Sequence, residues 1–237
     1  MIFVCVYKSG GDYDPQYVKA LRQGLEDFCP EPFKFWCFTD QPQAVIKYCD
    51  TVVRLLDDLP GWWSKLEIFR PIYNREKIVY LDLDVLIMKD LSEFIKIIKN
   101  TEGPLMLRSR DPIGHKNDWP SSSIMSWSGT EMTKVYEEFS TMGYEKVLKL
   151  VKNNPSRAGQ RTDQGFIRSI INPVKFQDFL PEDYILFKVD YWGDPTKFKK
   201  AVILNWTGKP RFHKMGSEYN HIFSIWKNKN LTINENN

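Results

Sequence analysis

The residues with the clearest capacity for chemistry are two carboxylates, Asp82 and Asp84, set inside the run Ile78-Val79-Tyr80-Leu81-Asp82-Leu83-Asp84-Val85-Leu86-Ile87-Met88. The surrounding residues are β-branched or aliphatic, the composition of a strand buried on both faces. Positions i and i+2 of a strand share a face, so the spacing predicts two acids projecting side by side. Taking two like charges out of water costs roughly several kcal/mol per ion unless something positive lies between them. The pair therefore reads as a metal or phosphate site, with a divalent cation as the simplest counter-charge. Asp90, just before Leu91-Ser92, has an ordinary explanation as a turn former or helix cap.

Other candidates each carry a plain structural alternative. Asp40 closes a strand at Thr39, where it would either bond a ribose or base at the carboxyl end of the sheet or start a turn before Gln41-Pro42. Lys65, between Trp62-Trp63 and Leu66, reads by itself as a snorkelling surface lysine. Asp163, after Thr162, sits in the first turn of a predicted helix, where macrodipole compensation worth about 0.3 to 1 kcal/mol explains an acid. Gly208 and Lys209 follow a strand and can offer backbone N–H groups and a cation to a phosphate, although such turns are common without ligands.

The elements that must position these residues alternate between strand and helix. Strands are expected at Ile2–Tyr7, Phe33–Thr39, Thr51–Leu56, Ile78–Met88, Pro104–Arg108, Ser123–Trp127, Tyr184–Val189 and Ala201–Trp206. Asp14-Pro15 caps a helix in which Tyr17, Val18, Leu21, Leu25 and Phe28 recur at helical spacing. Further helices are expected at Trp62–Phe69, from a Ser92 cap, from a Thr130 cap, at Tyr144–Val151 and from a Thr162 cap. The polar stretch Ser109–Ser123 reads as a long functional loop. This alternation, without repeats or a low-complexity linker, predicts one α/β domain with a central, mostly parallel sheet, helices on both faces, and the Asp-Leu-Asp strand central. The domain is expected to span residues 1–227.

Composition narrows the class. The 237 residues are 42% hydrophobic and 27% charged, ordinary for a folded globular chain, and the net charge of +3 gives no reason to expect nucleic acid as a partner. Cys5, Cys29, Cys37 and Cys49 lack Cys-x-x-Cys spacing and read as reduced thiols of a cytoplasmic protein. No signal peptide and no apolar run of about 18 residues is evident. Thr196–Asn230 contains eight Lys or Arg and one acid, Glu218. Within it Tyr219, Ile222, Phe223 and Trp226 form an amphipathic stripe, expected as a helix over 217–227 that docks on its own core or lies on an anionic membrane surface. Residues 228–237 read as a polar tail.

Four blocks taken in order give the chain a resemblance to GT-A fold nucleotide-sugar glycosyltransferases, particularly the glycogenin-like retaining branch. They are Ser64-Lys65-Leu66 ahead of Tyr80-Leu81-Asp82-Leu83-Asp84, then Ser121-Ser122-Ser123-Ile124-Met125, then Asp163-Gln164-Gly165, and finally Asn205-Trp206-Thr207-Gly208-Lys209-Pro210. The resemblance implies Mn²⁺ or Mg²⁺ held by Asp82, Asp84 and Asn205, and a UDP-sugar donor contacted by Tyr7, Asp40, Lys65, Asp82, Gly208 and Lys209. It implies Asp163, Gln164 and Lys65 as the residues acting on the donor sugar, and a glycan, protein or lipid acceptor. Two positions depart from the family pattern: Asn205 stands where a histidine ligand is usual, and Ser121 where an asparagine is common. His213 is a possible substitute ligand. The same Asp-Leu-Asp also resembles the nucleophile motif of haloacid-dehalogenase-type phosphatases, with Asp82 as nucleophile, and Asn205 leaves room for a nucleotide-sugar or glycan binder without turnover.

Overall fold

The computed structural model describes residues 1–73, 76–110, 116–153, 162–193 and 195–231. The period-two pattern of the first strand, β1 (Ile2–Tyr7), sorts its side chains between two cores: Phe3, Cys5 and Tyr7 enter one, Ile2 and Val4 the other. Such two-sided burial requires a cover on each face, and helices supply most of it. Beside β1 run β2 (Lys34–Thr39) and β3 (Thr51–Arg54) on one side and β4 (Lys77–Leu81) on the other, all parallel. β5 (Val85–Ile87) leaves this sheet, while β6 (Leu105–Arg110), β7 (Lys116–Ser128) and the short β8 (Val174–Lys175) complete it in the order β3-β2-β1-β4-β7-β6-β8. β7 is antiparallel to both β4 and β6. The mixed sheet, mostly parallel and with β4 at its centre, is the expected architecture.

One feature differs. β5 pairs with β10 (Ile203–Asn205), which pairs with β9 (Ile185–Phe187), in a separate three-stranded sheet. Ile78–Met88 is thus two strands in two sheets, broken at Asp82–Asp84. Apolar composition is the same on both sides of the break, which is why periodicity reads through it.

On one face of the large sheet lie α1 (Pro15–Phe28), α3 (Ser92–Asn100) and the small sheet. On the other lie the 3₁₀ turn Gly61–Phe69, α4 (Thr133–Met142), α5 (Tyr144–Lys152) and α6 (Asp163–Ile170). Asp14 caps α1 through Gln16 N–H, with Pro15 in the first turn, as its sequence requires. Elsewhere the caps shift: Met132 and Leu91, rather than Thr130 and Ser92, precede α4 and α3, and Asp90 accepts from Ser92 N–H. Thr162 precedes α6 without donating or accepting a side-chain cap bond. α2 (Pro42–Val45) and α7 (Lys188–Gly193) are short additions. The stretch Ser109–Ser123 is mostly β-hairpin rather than loop, its strands continuing to Arg110 and from Lys116; residues 111–115 lie outside those described.

The terminal helix, α8, runs Asn220–Leu231, four residues beyond the expected end, with residues 217–219 in a 3₁₀ turn. Residues 232–237 of the expected tail lie outside the described chain. The stripe of α8 faces inward: Ile222 and Trp226 are buried, and the Trp226 ring lies 5.2 Å from that of Tyr17 on α1. Lys229 closes the contact with Asp27 at 2.7 Å. The apolar face that a membrane would need is therefore occupied by the protein's own core. No described helix is long and apolar enough to cross a membrane. Trp226→Ala should lower unfolding free energy by about 3 kcal/mol, the usual loss for a buried aromatic, seen as a lower denaturant midpoint; an unchanged midpoint would show that α8 adds nothing to the core.

Candidate active site

The site begins where β4 ends. Asp82 N–H makes the last rung to Ser123 O at 2.8 Å, and Val85 N–H returns to Asp82 O at 3.1 Å, so the chain turns between the two acids. Because of this turn Asp82 and Asp84 do not share a strand face, and each meets its own cation.

Asp82 meets Lys65, whose ammonium lies 2.9 Å from Asp82 Oδ1 and 3.5 Å from Asp163 Oδ2. The ammonium also donates to Ser122 Oγ at 3.1 Å and to Ser122 O at 3.3 Å. Lys65 is only 5% exposed, so the snorkelling alternative does not hold. Burial pushes its pKa down, but Asp163 and Asp82 outweigh this and hold it above the ordinary lysine value. Asp163, at the N-terminus of α6, accepts from Ser122 Oγ at 2.6 Å, and Gln164 accepts from Ser122 N–H at 3.2 Å. Tyr80 donates its hydroxyl to Asp82 Oδ1. Three of the four sequence blocks thus converge on one ammonium.

Asp84 faces the other way. Its Oδ2 accepts from Tyr13 hydroxyl at 2.7 Å and from Arg211 Nη1 at 2.9 Å, with the guanidinium 4.3 Å over the Tyr13 ring. Arg211 Nε stands 3.7 Å from Asp12, and Lys209 Nζ 3.6 Å from the same carboxylate. Asp84 Oδ1 and both polar atoms of Asn205 are buried with no hydrogen-bond partner. Leaving such groups unsatisfied costs about 1 to 3 kcal/mol each. Asn205 ends β10 opposite Val85, which brings it beside the Asp82–Asp84 turn. Asp84 Oδ1 and Asn205 Oδ1 are unpaired oxygens of the kind a hard divalent cation takes, while Asp82 is turned to Lys65, and no cluster of three or more acidic, histidine or cysteine side chains that could hold a metal occurs among the described residues. Burial, then the charge of Asp82, raise the Asp84 carboxyl to about 6 against the opposing effects of Tyr13 and Arg211.

A cleft of about 570 Å³ opens over this network, lined by Lys65, Asp82, Asp163 and Gln164 together with Gly208 and the serines 121–123. Gly208 takes φ +83°, a conformation glycine adopts without strain. Asp84 and Asn205 are buried and do not line the cleft. Tyr7 and Asp40 do not line it: Tyr7 is buried at the end of β1, and Asp40 holds Ser9 through its N–H at 2.9 Å and its hydroxyl at 2.6 Å. Lys209 is on the surface, 77% exposed. His213 is engaged by the Tyr17 hydroxyl at 2.8 Å rather than by the acids.

Several residues of the site carry no sequence signal. Lys188 lines the cleft and donates to Lys209 O, Arg211 neutralises Asp84, and Arg110 borders the cleft from β6. Each is one basic residue among 33 Lys and Arg, distinguished only by long-range packing. Trp62 also borders the cleft; its place beside Trp63 could have suggested that one ring of the pair serves outside the core.

No family model matches the chain, and no curated protein matches its sequence. Solved structures do. The chain is similar to the glycosyltransferase GlyE of Streptococcus pneumoniae TIGR4, with a TM-score of 0.62 and 13% identity, over 97% of this chain and 60% of that one. It is similar to the galactosyltransferase LgtC, solved in complex with donor and acceptor sugar analogs, with a TM-score of 0.66 and 11% identity over 100% and 98% of the two chains. The bifunctional glycosyltransferase WbbM gives 0.60 at 9% identity, over 98% and 49%. This chain therefore spans about three fifths of GlyE and half of WbbM, and nearly all of LgtC. The likeness is one of fold: the mixed α/β fold of GT-A glycosyltransferase structures.

A carboxyl whose folded pKa lies above its unfolded value favours the fold most when protonated. Asp84's contribution is therefore full below about pH 4 and is lost as pH rises through about 6. Asp84→Asn should raise the melting temperature of metal-free protein at pH 7.5 by a few degrees, a difference that shrinks toward zero at pH 4. Equal melting at pH 7.5 would mean that the ionised acid carries no strain.

Proposed function

We propose that this chain is a metal-assisted glycosyltransferase that moves a sugar from a nucleotide-sugar, a UDP-sugar, to the hydroxyl of a glycan, protein or lipid acceptor, with retention of configuration. The observation that carries the reading is the Lys65–Asp82–Asp163–Gln164 network at the base of a cleft, beside the orphaned oxygens of Asp84 and Asn205. The fold, shared with solved glycosyltransferases, supports it.

Asp82, Asp84 and Asn205 would hold Mn²⁺ or Mg²⁺, which when bound supplies positive charge against a departing nucleoside diphosphate. The remaining work falls to the chain. Lys65 fixes two carboxylates at the cleft floor in one geometry, so that Asp163 and Gln164 meet the donor sugar without rearrangement. Lys188 and the backbone at Gly208 border the same cleft, where a cation and an N–H group serve phosphate oxygens. Lys209, exposed at the turn and paired with Asp12, would reach the same oxygens by leaving that carboxylate.

Retention is taken from the branch that the chain resembles. Asp163 Oδ2 is engaged by Ser122 and Lys65, and Asp82 by Tyr80 and Lys65, so the reading uses neither as a covalent nucleophile. The reading is same-face attack, with a phosphate oxygen of the leaving group taking the acceptor's proton. The four unpaired cysteines suit a reducing compartment, the cytoplasm.

UDP release from UDP-glucose and UDP-galactose with Mn²⁺ tests the proposal. Release should exceed the enzyme-free rate and fall by about 100-fold or more in Lys65→Ala, in line with losing an electrostatic group at a reacting centre. Phosphate release from p-nitrophenyl phosphate without UDP release would establish the phosphatase alternative, and UDP binding without release the inactive binder. Asn205→His should tighten Mn²⁺ binding measured by titration calorimetry; unchanged affinity would remove Asn205 from the ligand set.

A further inference from the structure

Two adjacent tryptophans take opposite environments. Trp63 is 3% exposed and meets the Tyr144 ring edge-on at 5.5 Å, whereas Trp62 is 59% exposed. Single exposed apolar side chains need no explanation in themselves. Ile46, Leu56, Ile72, Leu150 and Phe179 are of that kind, and none of them lines the cleft. Trp62 does, alone among the large exposed apolar side chains described.

Its position follows from the backbone. Gly61–Phe69 is 3₁₀ helix, in which residues three apart eclipse one another at about 6 Å along the axis. Trp62 and Lys65 therefore share one face of that turn. Lys65 grips Asp82 and Asp163 at the cleft floor, and Trp62 stands one turn away, toward the rim. Gln164, Ser109 and Arg110 line the same cleft, and a flat apolar plate in a cleft with polar groups suits a pyranose ring. The C–H face of such a ring would cover the indole while its hydroxyls reached the polar wall.

We propose that Trp62 is the stacking platform for the acceptor sugar, so that the acceptor is a pyranoside. The inference rests on the glycosyl-transfer reading and names the substrate class of that site. The acceptor, rather than the donor, is assigned to this ring because the donor must reach the Lys65–Asp82–Asp163 floor, and the exposed rim is what the second substrate meets on entering. A nucleobase on the indole is the competing occupant.

The test is saturation-transfer difference NMR with methyl glucoside, methyl galactoside and methyl N-acetylglucosaminide, in the presence of UDP and Mn²⁺, on wild type, Trp62→Ala and Trp62→Phe. At least one pyranoside should receive saturation on its ring C–H protons. Its affinity should weaken by about tenfold or more in Trp62→Ala and be largely retained in Trp62→Phe, as expected for a lost stack. UDP affinity, read by thermal shift, should change by less than about twofold. No pyranoside signal in wild type, or one undiminished in Trp62→Ala, overturns the proposal. Loss of UDP affinity in Trp62→Ala also overturns it and gives the indole to the base. Failure of the underlying reading is separate: it shows as no UDP release from UDP-sugars, and it leaves the pyranoside signal to be judged alone.

Discussion

The site depends on one buried ammonium held between two carboxylates. Lys65 comes from a 3₁₀ turn, Asp82 from the end of the central strand, Ser122 from its antiparallel neighbour and Asp163 from the start of α6. Buried ion pairs add little net stability, because desolvation offsets most of the attraction, but removing one partner strands the other at a cost of about 3 to 5 kcal/mol. The network therefore acts less as glue than as a register. It forbids any packing of α6 and the 3₁₀ turn on the sheet that separates the three charges, and so it sets the floor of the cleft while the two hydrophobic cores supply the stability.

The strand break at Asp82–Asp84 serves the same end. Had the apolar run continued straight, both acids would crowd one face of a buried strand. Turning between them sends Asp82 to Lys65 and Asp84 to Arg211 and Tyr13, and starts the second sheet, which brings Asn205 alongside. The arrangement still leaves Asp84 strained, its carboxyl raised to about 6 and one of its oxygens unpaired. Strain of this sort gathers at sites kept for ligands rather than for the resting fold.

Most of the scaffold was legible in the sequence because local signals agreed with it. The apolar run of β1, the Asp14-Pro15 cap of α1 and the helical spacing over Tyr144–Val151 each needed no tertiary information. Failures came where tertiary pairing overrode composition. Ser109–Ser123 is polar, which reads as loop, yet it forms a hairpin whose serines face the cleft, where polarity is wanted. Ile78–Met88 is uniformly apolar, and nothing local distinguishes one sheet from two. Lys65 and Asp163 could be brought together only through ordered motifs, since each alone has a bland explanation. Arg211 and Lys188 lay beyond that reach, because what sets them apart is a partner far away in sequence.

The charges around the Asp82–Asp84 turn bear on what the site can hold. Among the described residues Asp82 and Asp163 face Lys65, Asp84 and Asp12 face Arg211, Asp12 also faces Lys209, and at the cleft's edge Arg110 stands 3.5 Å from Asp190. Cations already engaged by carboxylates have less to offer a diphosphate, whose charge grows as it leaves. Two unit charges about 4 Å apart interact by roughly 4 kcal/mol at the effective dielectric of a protein surface, which is a large part of a reaction barrier. If the chain does part a nucleoside diphosphate from a sugar, the added positive charge must either arrive with the substrate or be released from these pairs. The unpaired oxygens of Asp84 and Asn205 favour arrival of a cation. A cation sharing Asp84 would weaken its hold on Arg211, and under the proposed reading Arg211, beside Lys209, would then be available to phosphate oxygens.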